Sequence, residues 1–191
     1  MDGDAAIAPA HRLLREHTRD AHDAAEATAG MRALLSGAMN EAGYHGLLAA
    51  QLRLFVAWEH ERAGEITAAA DAWAYQSRIP LLETDLSLHG NLPARVISHV
   101  DVPPEFWGEL YVIEGSTLGG QVIVRQLRTQ FPALPHAYYA MGESAPGQWR
   151  RFQQVLDRML PDRTAQSLAI VGAQRMFARF QRTLQDPGHH V

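Results

Sequence analysis

Apolar residues recur at intervals of three and four along almost the whole chain, the spacing of one helical face. The clearest case follows Asn40, a residue type that caps helix N-termini. Tyr44, Leu47, Leu48, Leu52, Phe55, Val56 and Trp58 lie on one side of a helix through EAGYHGLLAAQLRLFVAWEHER. Ahead of it, Pro9 suits the first turn of a helix over HRLLREHTRDAHDAAEA, with Gly30 just beyond its end. A third helix is predicted over EITAAADAWAYQS, stopping before Pro80, and a short one over LLETDLSL ends at His89-Gly90-Asn91. Pro103-Pro104 opens a long helix, EFWGELYVIEGSTLGGQVIVRQLRTQ, which Pro132 closes. The stretch ALPHAYYAMGESAPG reads as a connector. Helices over QWRRFQQVLDRML and TAQSLAIVGAQRMFARFQRTL follow, separated by Pro161. No strand alternation, repeat or low-complexity segment interrupts the pattern. The fold class expected is all-α: one compact domain of about seven or eight helices over residues 1–191, with flexible ends at 1–9 and 185–191.

Composition narrows the chemistry. The 191 residues suffice for one domain with a real core. There is no Cys, which removes a thiolate nucleophile, Cys-ligated metal, disulfides and a thiolate haem ligand. There is no Lys either, since all 17 basic residues are Arg, which removes Schiff-base catalysis and a P-loop lysine. The net charge of −4 gives no reason to expect nucleic acid. No apolar run approaches a membrane span and the N-terminal residues lack signal-peptide character, so a cytoplasmic protein is the expectation.

The long helix carries an anomaly: Gly115, Gly119 and Gly120 fall within six positions. Each helical Gly costs roughly 1 kcal/mol relative to Ala. At ~100° per residue Gly108, Gly115 and Gly119 lie along one side. Three readings compete: a close helix crossing, a phosphate cradle, or a flat ligand against a glycine-lined helix. The cradle is weak, because neither GxGxxG nor Gly-Lys-Ser/Thr is present. The flat ligand requires a second wall.

LLREHTRDAHDAAE offers that wall. His22 and Glu26 are four apart on one face, so the carboxylate can orient one ring nitrogen and leave the other for a metal. Arg19 and Arg15 stand one and two turns away, which suits a metallocycle with anionic side groups. His17 is the alternative, but its fourth residue on is Ala21. A surface His–Glu pair is the competing reading. No ExxH pair is present, so a di-iron carboxylate centre lacks its usual ligands.

LREHTRDAHDAAE resembles the proximal helix of haem oxygenases, and YVIEGSTLGGQVI resembles their distal helix, above all in the bacterial biliverdin-producing branch. Their order and separation fit as well, as do the region from Tyr138 to Phe152 and the aromatic last helix. The resemblance implies haem sandwiched between a proximal helix and a kinked, glycine-rich distal helix. It makes His22 the iron ligand and Glu26 its hydrogen-bond partner. Gly115, Gly119 and Gly120 become the close distal wall, and Arg15 and Arg19 the contacts to the haem propionates. Arg150 or Arg151 supplies a further cation. Ser116 stands where many members carry Asp, and with Thr117 it takes over the ordering of water. The implied reaction opens haem to biliverdin with release of CO and ferrous iron. Haem is substrate and cofactor at once, with O2 as co-substrate. Electrons come from an external ferredoxin, flavodoxin or reductase, since the chain shows no flavin or nicotinamide fingerprint. The product would serve iron acquisition or supply a bilin-binding photoreceptor. A non-catalytic haem carrier or sensor of the same fold is the alternative, and a thiamin-degrading hydrolase is disfavoured by the missing Cys.

Overall fold

Two helices crossing at a pair of glycines organise the chain. The computed structural model describes residues 7–88, 100–144 and 146–185. In chain order it contains α1 (Ala10–His17), α2 (Arg19–Glu26), α3 (Ala29–Ser36), α4 (Glu41–Glu61) and α5 (Ala63–Ala68). There follow α6 (Ile79–Asp85), α7 (Pro104–Gln130), α8 (Ala137–Ala140), a 3-10 turn (Met141–Ser144), α9 (Gln148–Met159) and α10 (Arg163–Gln185). Among the described residues there is no strand, and the fold is all-α around one hydrophobic core. None of these helices is long and apolar enough to cross a membrane.

α10 packs along α7 more extensively than any other pair. The reason is visible in the backbone. A Cβ on Gly108 of α7 would lie 1.8 Å from the Ala169 carbonyl oxygen, and one on Gly172 of α10 would lie 2.0 Å from that of Glu105. Only two hydrogens in place of side chains allow this approach. α4 closes the other side with Tyr44, Leu47, Phe55 and Trp58, all fully buried. Glu109, buried in α7, accepts from Trp58 Nε1 at 2.9 Å and from Arg62 Nε at 2.9 Å and Nη2 at 2.8 Å. The carboxylate thus ties α4 to α7 with its charge compensated.

The structure departs from the sequence expectations in four places. The first helix is broken at Thr18 (φ −113°), whose hydroxyl donates to the Leu14 carbonyl at 2.7 Å. A β-branched residue that satisfies the backbone itself competes with helix continuation. Gly30 does not end a helix; it lies inside α3, which Thr28 caps and Gly37 (φ 71°) terminates. The third helix covers only Ala63–Ala68, because Glu59 captures the segment behind it: Tyr75, Ser77 and the Arg78 amide all donate to that carboxylate. The connector contains α8, capped by Asp85, which accepts from the Ala137 and Tyr138 amides at 2.6 and 2.9 Å. Among the described residues ten α-helices therefore stand where seven or eight were expected. α7 is helical without interruption through all its glycines.

The turn expected at His89-Gly90-Asn91 lies outside the described residues, as do 1–6 and 186–191. Of the ends expected to be flexible, Ala8 accepts a hydrogen bond from Gln166, Pro9 precedes α1, and Gln185 is the last residue of α10.

Candidate functional site

One cavity of about 820 Å3 opens between α1 and α2, α7 and α10, a size that suits a cofactor or drug-sized ligand. The break at Thr18 turns α1 into α2 and lets both helices face it. Side-chain amides of α10 fix their backbone: Gln181 Nε2 donates to the Ala21 carbonyl at 2.9 Å and Gln174 Nε2 to that of His17 at 3.5 Å.

The cavity brings together most of the residues singled out by sequence. Arg15, Arg19, His22 and Glu26 line it from α1 and α2, and Gly115, Ser116, Thr117, Gly119 and Gly120 from α7. His17 is exposed and is not part of the lining. Arg150 and Arg151 are also exposed and outside it; α9 presents Trp149 and Gln153 to the cavity instead. A helix turns ~100° per residue, so a shift of one or two positions in a register exchanges one face for another.

The His22 ring is half exposed. Its Nε2 lies 3.7 Å from Glu26 Oε1 and its Nδ1 3.6 Å from Asp23 Oδ1. Both distances exceed a hydrogen bond. The edge of Phe177 on α10 packs against the ring at 6.0 Å between centroids. Arg15 acts across the cavity: burial raises the pKa of Tyr111 on α7, while Thr18 and Arg15 pull it down.

The glycines divide. A Cβ on Gly119 would meet nothing within 4 Å, one on Gly115 would touch Trp149 at 3.4 Å, and one on Gly120 would press on the Tyr139 carbonyl at 3.0 Å. Gly119 thus borders open space, while Gly120 answers largely to a close approach by α8. The hydroxyls of Ser116 and Thr117 donate to the carbonyls of Ile113 at 2.7 Å and Glu114 at 2.6 Å. Their lone pairs remain free to accept.

Sequence reasoning missed much of the apolar wall. Tyr111 and Trp149 form one aromatic pair (5.5 Å) and Phe177, Phe180 and Leu184 close the α10 side. Tyr111 sits four residues before Gly115, a spacing that could have found it. At the inner end Gln51, Arg78, Tyr138 and Tyr139 also line the cavity. Gln51 donates to the Tyr139 hydroxyl at 2.9 Å. Burial raises the pKa of both tyrosines, so they stay neutral. Among the described residues no three His, Asp or Glu side chains gather as a metal site. A flat, largely apolar ligand with an anionic edge fits such a cavity: aromatic and glycine walls, the His22 imidazole, and arginines at the same end.

The family model for Heme oxygenase matches residues 8–93. A protein of Xanthomonas campestris pv. campestris (strain 8004) described as heme oxygenase is 39% identical over 158 residues, covering 81% of this chain and 96% of that protein. The chain belongs to the heme oxygenase family. The solved structure of heme oxygenase from Leptospira interrogans has the same fold, with a TM-score of 0.74 at 17% identity, covering 93% of this chain and 99% of that one. The family match includes the His22 helix, and the fold match is broad enough to take in most of the helical frame around the cavity.

Proposed function

We propose that this heme oxygenase family member oxidatively opens haem to biliverdin, releasing CO and ferrous iron, with O2 and external electrons. The observation that carries the reading is the cavity itself, which joins His22 and Glu26 on α2 to the unobstructed Gly119 on α7.

His22 would hold the haem iron through a ring nitrogen, and Glu26, 3.7 Å from Nε2, would orient the ring. Gly119 leaves clearance on the opposite side, with Gly115 and Gly120 continuing that wall. Ser116 and Thr117 are catalytic through the water that their lone pairs hold. Arg15 and Arg19 receive the propionates, with Arg12 beside them on the cavity wall. Arg150 and Arg151 take no part in this arrangement. The electron donor is a ferredoxin, flavodoxin or reductase, and the product would serve iron release or a bilin-binding photoreceptor.

Reductant added in air to the haem complex tests this. Progressive loss of the Soret band, with a biliverdin absorption rising in its place, is expected; a Soret band that survives turnover conditions identifies a carrier or sensor. Arg15→Glu is expected to weaken haem affinity by about tenfold, as loss of a charge-assisted contact worth ~1.5 kcal/mol would. It should also mix the biliverdin isomers by loosening the in-plane seating. Unchanged affinity with one unchanged isomer would remove Arg15 from the propionate site.

A further inference from the structure

The α7 wall of the cavity has no free side-chain donor among Gly115, Ser116, Thr117 and Gly119, because both hydroxyls are committed to their own helix. A buried ion pair stands directly behind it. Arg78 Nη2 lies 3.2 Å from Glu114 Oε1, and the two side chains are 1% and 2% exposed. Neither of those two atoms has a hydrogen-bond partner, and neither has Gln51 Oε1. Arg78 and Gln51 both line the cavity. The rest of the pair is well held. The Arg78 guanidinium lies over the Tyr75 ring and donates through Nη1 to the Gln76 carbonyl, and Glu114 Oε2 accepts from Gln148 at 3.4 Å.

Pinning the segment before α6 to α7 does not require a buried ion pair, since apolar contacts hold helices at least as well. A cation–carboxylate pair buried this deeply beside a cavity does, however, act on a charge in that cavity with little solvent screening. Arg78 is also distinct from the other charges of the cavity. Arg12, Arg15, Arg19, Asp23 and Glu26 are all exposed on α1 and α2, where solvent screens them. The groups packed on Arg78 itself are Glu59, which accepts its backbone amide, and the neutral rings of Tyr75 and Tyr138.

We propose that Arg78 and Glu114 are positioning residues for the haem site, setting the potential that a negative charge in the cavity experiences. The inference rests on the reading that haem binds in this cavity.

The test is the acid–alkaline transition of the ferric haem complex of the full chain, followed by its visible spectrum. The alkaline form carries one more negative charge in the cavity. Glu114→Gln leaves the Arg78 cation uncompensated and is expected to raise the alkaline-to-acid ratio at a given pH by about threefold or more, moving the midpoint down by about half a unit. Arg78→Gln leaves the carboxylate alone and is expected to move the midpoint up by a similar amount. The double variant should return close to the parent, and Arg78→Lys, which keeps the charge, should stay near it. A purely structural pair would shift both single variants the same way, or neither, and that result overturns the proposal. Should Arg78→Gln fail to fold, Glu114→Gln and Arg78→Lys decide: the first must move and the second must not, and equal behaviour overturns it. A chain that forms no haem complex at all instead refutes the proposed function.

Discussion

His22→Ala is expected to fold like the parent chain and to lose both the histidine-ligated haem spectrum and turnover. The side chain is 56% exposed, and its ring packs only edge-on against Phe177. Its removal should therefore change stability by no more than about 0.5 kcal/mol, as for an ordinary surface substitution. The consequence for ligand binding is of a different order: the other histidine on the cavity wall, His11, is engaged with Asp157 at 3.2 Å. Residual haem should be held by the apolar walls and arginines alone, with a weak aquo-type spectrum. His17→Ala is the control, since His17 lies outside the cavity. Glu26→Gln should fall between the two, with a loss of about 10–100-fold in affinity or activity typical of a partner that orients a ligating histidine. Were His17→Ala to lose the spectrum and His22→Ala to keep it, the ligand would be His17.

Gly108→Ala and Gly119→Ala are expected to change stability in opposite directions, although both sit in the same helix. Helix propensity alone predicts a gain of up to about 1 kcal/mol for each. At Gly108 the new methyl would lie 1.8 Å from the Ala169 carbonyl oxygen, a backbone atom that cannot rotate away. α7 and α10 must then separate, at a cost of about 3 kcal/mol or more, which lowers Tm by roughly 6–12 °C in a chain of this size. At Gly119 the methyl meets no atom within 4 Å, so the propensity gain should survive in the apoprotein. There the loss is functional: the methyl occupies space on the cavity wall and biliverdin yield should fall. Thermal melts of both apoproteins and product yields of both variants check the pair. Full biliverdin yield from Gly119→Ala would show that this clearance has no role in the reaction.

The helical class, the long glycine-bearing helix and the placing of His22 and Glu26 on one helix were legible because each rests on spacing within one helix. The elements that were misread turn on side-chain donors, one local and the others distant in sequence. Thr18 breaks the first helix by donating to Leu14, and Glu59 keeps residues 75–78 out of a helix by collecting their donors. The glycine question had more than one answer. Gly108 serves the crossing with α10, Gly120 the approach of Tyr139, and Gly119 borders open cavity; one helical face cannot distinguish a partner backbone from empty space. Arg150 and Arg151 were placed by register in a resemblance, and α9 turns them to solvent while Trp149 faces in. The Arg78–Glu114 pair joins residues 36 positions apart, so no pattern in the sequence announces it.

This cavity is expected to hold haem and to open its ring. A single-turnover reaction tests it most directly: one equivalent of haem bound to the chain, a chemical or ferredoxin-type electron donor, and O2, with the pigments extracted and separated by chromatography and iron and CO captured. Biliverdin, CO and ferrous iron are expected in equal amounts, and all three should be abolished by His22→Ala. Recovery of intact haem from the parent chain, with no CO and no released iron, would contradict it.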